Sequence, residues 1–179
     1  MTTTDRSTHA TAIETVTLLD EVRMICFGSG VHRFQLRAAA LFIRHDAVLL
    51  HRLEGDGFWA LPGGRVELGE SASSAVEREM RGELDEEVIC GALVCVVENF
   101  FQHAGIDHHE IGLCFDASLR VGSPLLDMTR AHRGVEGNRT LEYRWFALSG
   151  LVDLDLRPSF LREYLGEPNL PFKHVVQRD

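Results

Sequence analysis

The chain has 179 residues, nearly half of them apolar, and a formal net charge of −9. That apolar content supports the core of one ordinary domain with a tail or two. No apolar run reaches the ~18 residues of a membrane span, and the acidic balance argues against general nucleic-acid binding, which depends on neutralising phosphates.

Met1 to Thr11 is polar and rich in Thr and Ser, without the basic and apolar regions of a secretory leader, and reads as a disordered tail. Ile13 to Met24 reads as a short helix or an extra strand, so residues 1–30 are expected to be a tail carrying one such element. A domain over 31–166 and a polar C-terminal tail over 167–179 complete the division. Gln35–Ile43 and Ala47–Arg52 read as a hairpin around the polar turn Arg44-His45-Asp46. Phe58–Leu61 reads as a short strand leading into Pro62-Gly63-Gly64.

The clearest helix follows. Ser71 is a good N-cap, and Ala72, Ala75, Val76, Met80 and Leu84 recur at helical spacing. Glu79 and Glu83, four apart, project from a neighbouring stripe of the same helix. Gly82 lies inside it, at about 1 kcal/mol less favourable than alanine. Asp85 falls at the end, where a left-handed residue is often needed. Val88–Gln102 and His109–Leu119 read as long strands joined by a hairpin loop over His103–His108. Arg120–Thr140 reads as a surface excursion, Leu141–Leu148 as a strand, and Arg157–Leu165 as a second helix with Pro158 in its first turn. Mixed strands with helices on both sides predict an α/β/α sandwich.

Four cysteines, Cys26, Cys90, Cys95 and Cys114, form no CxxC pair. They read as reduced thiols of a cytoplasmic protein, and their spacing does not suit zinc. His103, His108 and His109 read as a polar turn. Phe58, Trp59, Phe100 and Phe101 offer rings for base stacking or for the core.

A glycine-rich loop ahead of a helix with carboxylates one turn apart is a way to hold a hard divalent cation beside a bound phosphate. The residues that build it are Gly64, Glu70, Arg78-Glu79, Met80 and Glu83, preceded by Trp59-Ala60-Leu61-Pro62-Gly63. This pattern resembles the Nudix hydrolase motif G-x5-E-x7-R-E-U-x-E-E-x-G-U, where U is aliphatic, and the order of elements agrees with that family from about Arg33 to Leu165.

The resemblance implies a Nudix-like α/β/α sandwich with a mixed β-sheet, and Mg2+- or Mn2+-dependent hydrolysis of a nucleoside diphosphate-linked small molecule. It implies Glu79, Glu83 and the Gly63 carbonyl as metal ligands, and Glu79, Glu83 and Glu110 as catalytic residues. Gly64, Glu70 and Arg78 become structural parts of the loop and helix. The partner is then a small nucleotide derivative, with neither nucleic acid nor membrane, and a homodimer is compatible with the family.

Three positions depart from the motif: Gly82 stands for a glutamate, Asp85 for the glycine and Glu86 for the aliphatic residue. The loss at Gly82 supports an alternative, a nucleotide-binding or regulatory protein on the same scaffold with little catalysis. The plainer reading of Glu79 and Glu83 themselves is a solvated helix face. The markers of individual substrate groups are absent, so no one nucleotide is selected.

Overall fold

The computed structural model describes residues 23–179. The tail expected over Met1–Thr11, and all but the last two residues of Ile13–Met24, lie outside them.

Two sheets form the middle layer. The larger has the order β1 (Cys26–Ser29), β2 (His32–Leu41), β7 (Ile106–Leu119), β6 (Val88–His103) and β10 (Lys173–Arg178), with β5 (Gly63–Arg65) pairing the free edge of β2 beyond β1. It is mixed: β2–β7 and β6–β10 are parallel, and β1–β2, β2–β5 and β6–β7 antiparallel. The smaller sheet has the order β3 (Ile43–Arg44), β4 (Ala47–Leu53), β9 (Arg139–Ala147) and β8 (His132–Glu136).

Alternation along the strands sends side chains to two separate cores. Ala38, Ala40 and Phe42, with Leu49, Leu141 and Tyr143, pack against Ala75, Val76 and Met80 of helix α1 (Ala72–Leu84). Ala39 and Leu41, with Val48 and Leu50, pack against Leu161, Tyr164 and Leu165 in and after helix α2 (Leu161–Tyr164). Helix, sheet and helix are therefore stacked as an α/β/α sandwich. Among the described residues no helix is long and apolar enough to cross a membrane.

Several elements differ from the sequence reading. The hairpin loop expected over His103–His108 is only Ala104-Gly105, both at positive φ (50° and 78°), as a two-residue turn requires. His108 and His109 therefore belong to β7 and point to opposite faces. The excursion over Arg120–Thr140 contains β8, paired with β9. The expected strand Phe58–Leu61 is reduced to isolated bridges, Trp59 to Leu156 and Ala60 to His51. The second helix is a single turn. The segment read as a polar tail adds β10 to the sheet edge, because Lys173, Val175 and Gln177 alternate inward.

Candidate functional site

The loop into α1 is held by backbone pairing with β2, which sets Gly63 opposite Ala39 and Gly64 opposite Ala38. Gly63 has φ 141°, and a Cβ there would stand 2.2 Å from the Ala38 carbonyl oxygen. A Cβ at Gly64 would stand 2.2 Å from the Glu79 carboxylate. Both glycines are thus required by close approach, one to a strand and one to the helix acid. Helix α1 begins where Ser71 Oγ accepts from the Ser74 amide at 3.1 Å. It ends at Asp85, φ 56°, whose amide donates to the Arg81 carbonyl, the 5→1 bond of an αL closure, while the Glu86 amide donates to the Met80 carbonyl.

Arg78 is the hub of the loop. Its Nε and Nη2 donate to the two oxygens of Glu70 at 2.8 and 3.0 Å, its Nη1 to Glu79 Oε1 at 2.8 Å, and its Nη2 to the Arg65 carbonyl at 2.9 Å. The forked bond holds the Glu70 carboxyl below its usual range and raises the Arg78 guanidinium in turn. Glu67, whose amide donates to Glu70, stands 3.9 Å from Arg78.

One turn on, Glu83 is buried, with 8% of its surface exposed. Its carboxylate accepts from the Tyr143 hydroxyl of β9. Burial raises the Glu83 carboxyl to about 7; the Tyr143 bond opposes the rise, Glu79 and Glu136 add to it, and Arg37 opposes it. Gly82 faces open space, with nothing within 4 Å of an added Cβ. The absence of a glutamate there removes an acid without any steric reason.

Glu110 is buried in the middle of β7, with Gln35 of β2 donating to it at 2.5 Å. Asn99 of β6 lies opposite, its buried Oδ1 without a partner among the described residues. No hydrogen bond or ion pair among the described residues joins Glu110 to Glu79 or Glu83. The structure therefore brings Gly64, Glu70, Arg78 and Glu79 into one contact network, places Glu83 at the junction of α1 and β9, and sets Glu110 in a separate polar row.

Sequence reasoning missed the arginines around this row. Arg33 and Arg37 alternate on β2, and Arg65 pairs with Arg37, so all three point to the face that carries Glu110. The signal was present as Arg33-x-Gln35-x-Arg37, charged and polar residues at period two in a strand. Arg33 and Arg65 also push the His108 imidazole down, after burial, while Glu110 opposes them. The Arg37 Nη2 donates to the Gly63 carbonyl at 2.8 Å and to the Leu61 carbonyl at 3.4 Å.

Two adjoining cavities open at this end of the large sheet. One, of about 590 Å3, includes Arg33, Arg65 and His32 in its lining. The other, of about 700 Å3, is lined by Phe27, Phe34, Phe100, His109 and Arg178 among others. These five form a row across five strands: Phe27 stacks on Phe34 at 4.9 Å, Phe100 on His109 at 4.4 Å, and Arg178 covers Phe100 at 4.1 Å. Phe101 stacks on His108 on the opposite face, Phe58 lies under Arg157, and Trp59 is in the core. Neither cavity is lined by Glu79 or Glu83. Arg65 is the link, since its backbone carbonyl holds the Arg78 that holds Glu79.

The donor set bears on Mg2+ and Mn2+. Carboxylate and carbonyl oxygens are the ligands these hard ions take, and Glu79 and Glu83 supply two carboxylates one turn apart. The Gly63 carbonyl is engaged by Arg37, and one Glu79 oxygen by Arg78. No group of three or more His, Cys, Asp or Glu side chains converges among the described residues. Among the described residues, Glu79 and Glu83 each keep one carboxylate oxygen outside these bonds, the donor type such an ion takes.

Comparison with solved structures finds the same fold. A MutT NUDIX hydrolase from Burkholderia pseudomallei is 29% identical, covering 65% of this chain and 84% of that one, with a TM-score of 0.51. A MutT protein from Bacillus halodurans is 20% identical over 80% of this chain and 89% of that one, with a TM-score of 0.57. A UDP-X diphosphatase is 20% identical over 79% of this chain and 66% of that one, with a TM-score of 0.55. The family model of the NUDIX domain matches residues 33–165. With the loop, the brace and the acidic helix all inside that span, the chain belongs to the Nudix family.

Proposed function

We propose that this protein hydrolyses a phosphoric anhydride bond in a nucleoside diphosphate-linked small molecule, with one Mg2+ or Mn2+ ion held by Glu79 and Glu83. The observation that carries the reading is Glu83. It is a carboxyl one turn from Glu79, buried in the last turn of α1, with Tyr143 as its side-chain hydrogen-bond partner among the described residues and its titration moved by burial to about 7. Buried acids poised near neutrality are concentrated where chemistry is done.

A bound divalent ion would supply charge neutralisation at the phosphate oxygens. The chain's own residues do the rest. Arg33 and Arg65 present guanidinium groups to a diphosphate beside the smaller cavity. The aromatic row in the larger one offers π-faces to a base. Glu83, as a carboxylate, can accept a proton from an attacking water, and Glu110 is a second acid on the arginine-bearing face. Four free thiols suit a reducing, cytoplasmic setting.

A second reading, nucleotide binding with little turnover, is favoured by the open position at Gly82 and by the engaged Gly63 carbonyl. Phosphate release from a panel of nucleoside diphosphate-linked compounds with Mg2+ or Mn2+ separates the two. Hydrolysis that falls about a hundredfold or more in Glu79→Gln and in Glu83→Gln is expected. Tight nucleotide binding without phosphate release from any compound supports the second reading and overturns the first.

A further inference from the structure

We infer that Arg37 is a resident cation of the loop, holding the Gly63 carbonyl and limiting the acidic end of α1 to a single divalent ion. The inference rests on the reading of Glu79 and Glu83 as cation ligands and adds a charge that the motif does not contain. Arg37 lies outside the loop and helix, on β2, and reaches them because β5 pairs with that strand. One of its nitrogens stands 2.8 Å from the Gly63 carbonyl and 3.4 Å from that of Leu61. Two carbonyls turned toward one point are what a cation seeks. Here a permanently charged guanidinium takes that place.

The charges around it agree. Gly82 leaves Glu79 and Glu83 as the acids of the helix face, and the position where a third would stand is open. Arg78 is paired with both Glu70 and Glu79, so Arg37 is a further positive charge beside Glu83. A second ion on the Gly63 oxygen would stand against Arg37 at hydrogen-bond range, where like charges repel strongly. Arg37 in this role is a positioning residue, acting through the loop carbonyl and the local charge.

The test is a titration of the full chain with Mn2+ at pH 8, read by electron paramagnetic resonance, so that binding is measured without turnover. The wild type is expected to bind one ion. Arg37→Met should bind it about tenfold more tightly or bind a second. Arg37→Gln keeps an amide donor for the Gly63 carbonyl and removes only the charge, so it should behave like Arg37→Met even if the latter folds poorly. Arg37→Lys, which keeps the charge, should behave like the wild type. Folded Arg37→Gln with the ion count and affinity of the wild type would overturn the inference. Loss of binding in Glu83→Gln is expected in both the wild-type and Arg37→Gln backgrounds. Binding unchanged by Glu83→Gln overturns the ligand assignment and the inference built on it, whereas an inert Arg37→Gln with a sensitive Glu83→Gln overturns the inference alone.

Discussion

The two halves of the motif, from the loop to the end of α1, use the same residue types for different ends. In the first, Glu70 spends both of its oxygens on Arg78, which also holds one oxygen of Glu79 and the Arg65 carbonyl. In the second, Glu83 is buried with a phenolic partner, Tyr143, beside an open position at Gly82. On the proposed function, a glutamate of this motif is a brace or a reagent according to how much of its hydrogen-bonding capacity the fold has already taken.

Three outcomes sharpen or break this contrast, beginning with the largest. Glu83 is an acid raised to about 7 from an ordinary 4.5. Its contribution to stability is fully present below pH 4.5 and is lost as pH rises through about 7, because the folded state disfavours the carboxylate. In cation-free protein, Glu83→Gln should therefore gain on the wild type between pH 5 and pH 8, by up to about 3 kcal/mol. Thermal melts in chelator at both pH values check the sign; a gap that does not widen with pH would contradict the burial argument. Arg78→Ala leaves Glu70 and Glu79 without their cation and should lower stability by about 2 kcal/mol, less than for a fully buried pair because Arg78 is about one-third exposed. Urea unfolding measures it, and a change near zero would mean the brace is only a surface ion pair. Smallest is Asp85→Gly, which relieves a left-handed residue at φ 56° and should add about 0.5–1 kcal/mol in the same assay.

Much of the first half was legible in the sequence. Ser71, the apolar stripe of α1 and the long strands rest on local patterns, and the structure forms them where those patterns predict. The glycines of the loop were visible as residues, but the reason for them was not. Their need comes from Ala38 and Glu79, which tertiary pairing brings to the places a Cβ would fill. The second half was less legible, since Tyr143 is 60 residues from Glu83 and no spacing rule joins them. Arg37 was missed for the same reason. It lies within the strand read over Gln35–Ile43, and only the pairing of β5 with β2 shows what its guanidinium reaches. The polar tail was misread because Lys173, His174, Gln177 and Arg178 mask the alternation that lets β10 join β6. The short hairpin turn was overextended because three histidines look like loop composition, whereas each of His108 and His109 stacks on a phenylalanine of the neighbouring strand.

The contrast is tested most directly by comparing Glu70→Gln and Glu83→Gln for phosphate release per folded molecule, with stability measured on the same samples at pH 8. The brace-and-reagent account predicts that Glu70→Gln loses stability while each folded molecule keeps most of its turnover, and that Glu83→Gln holds or gains stability while turnover collapses. Equal turnover per folded molecule in Glu83→Gln and the wild type would contradict it.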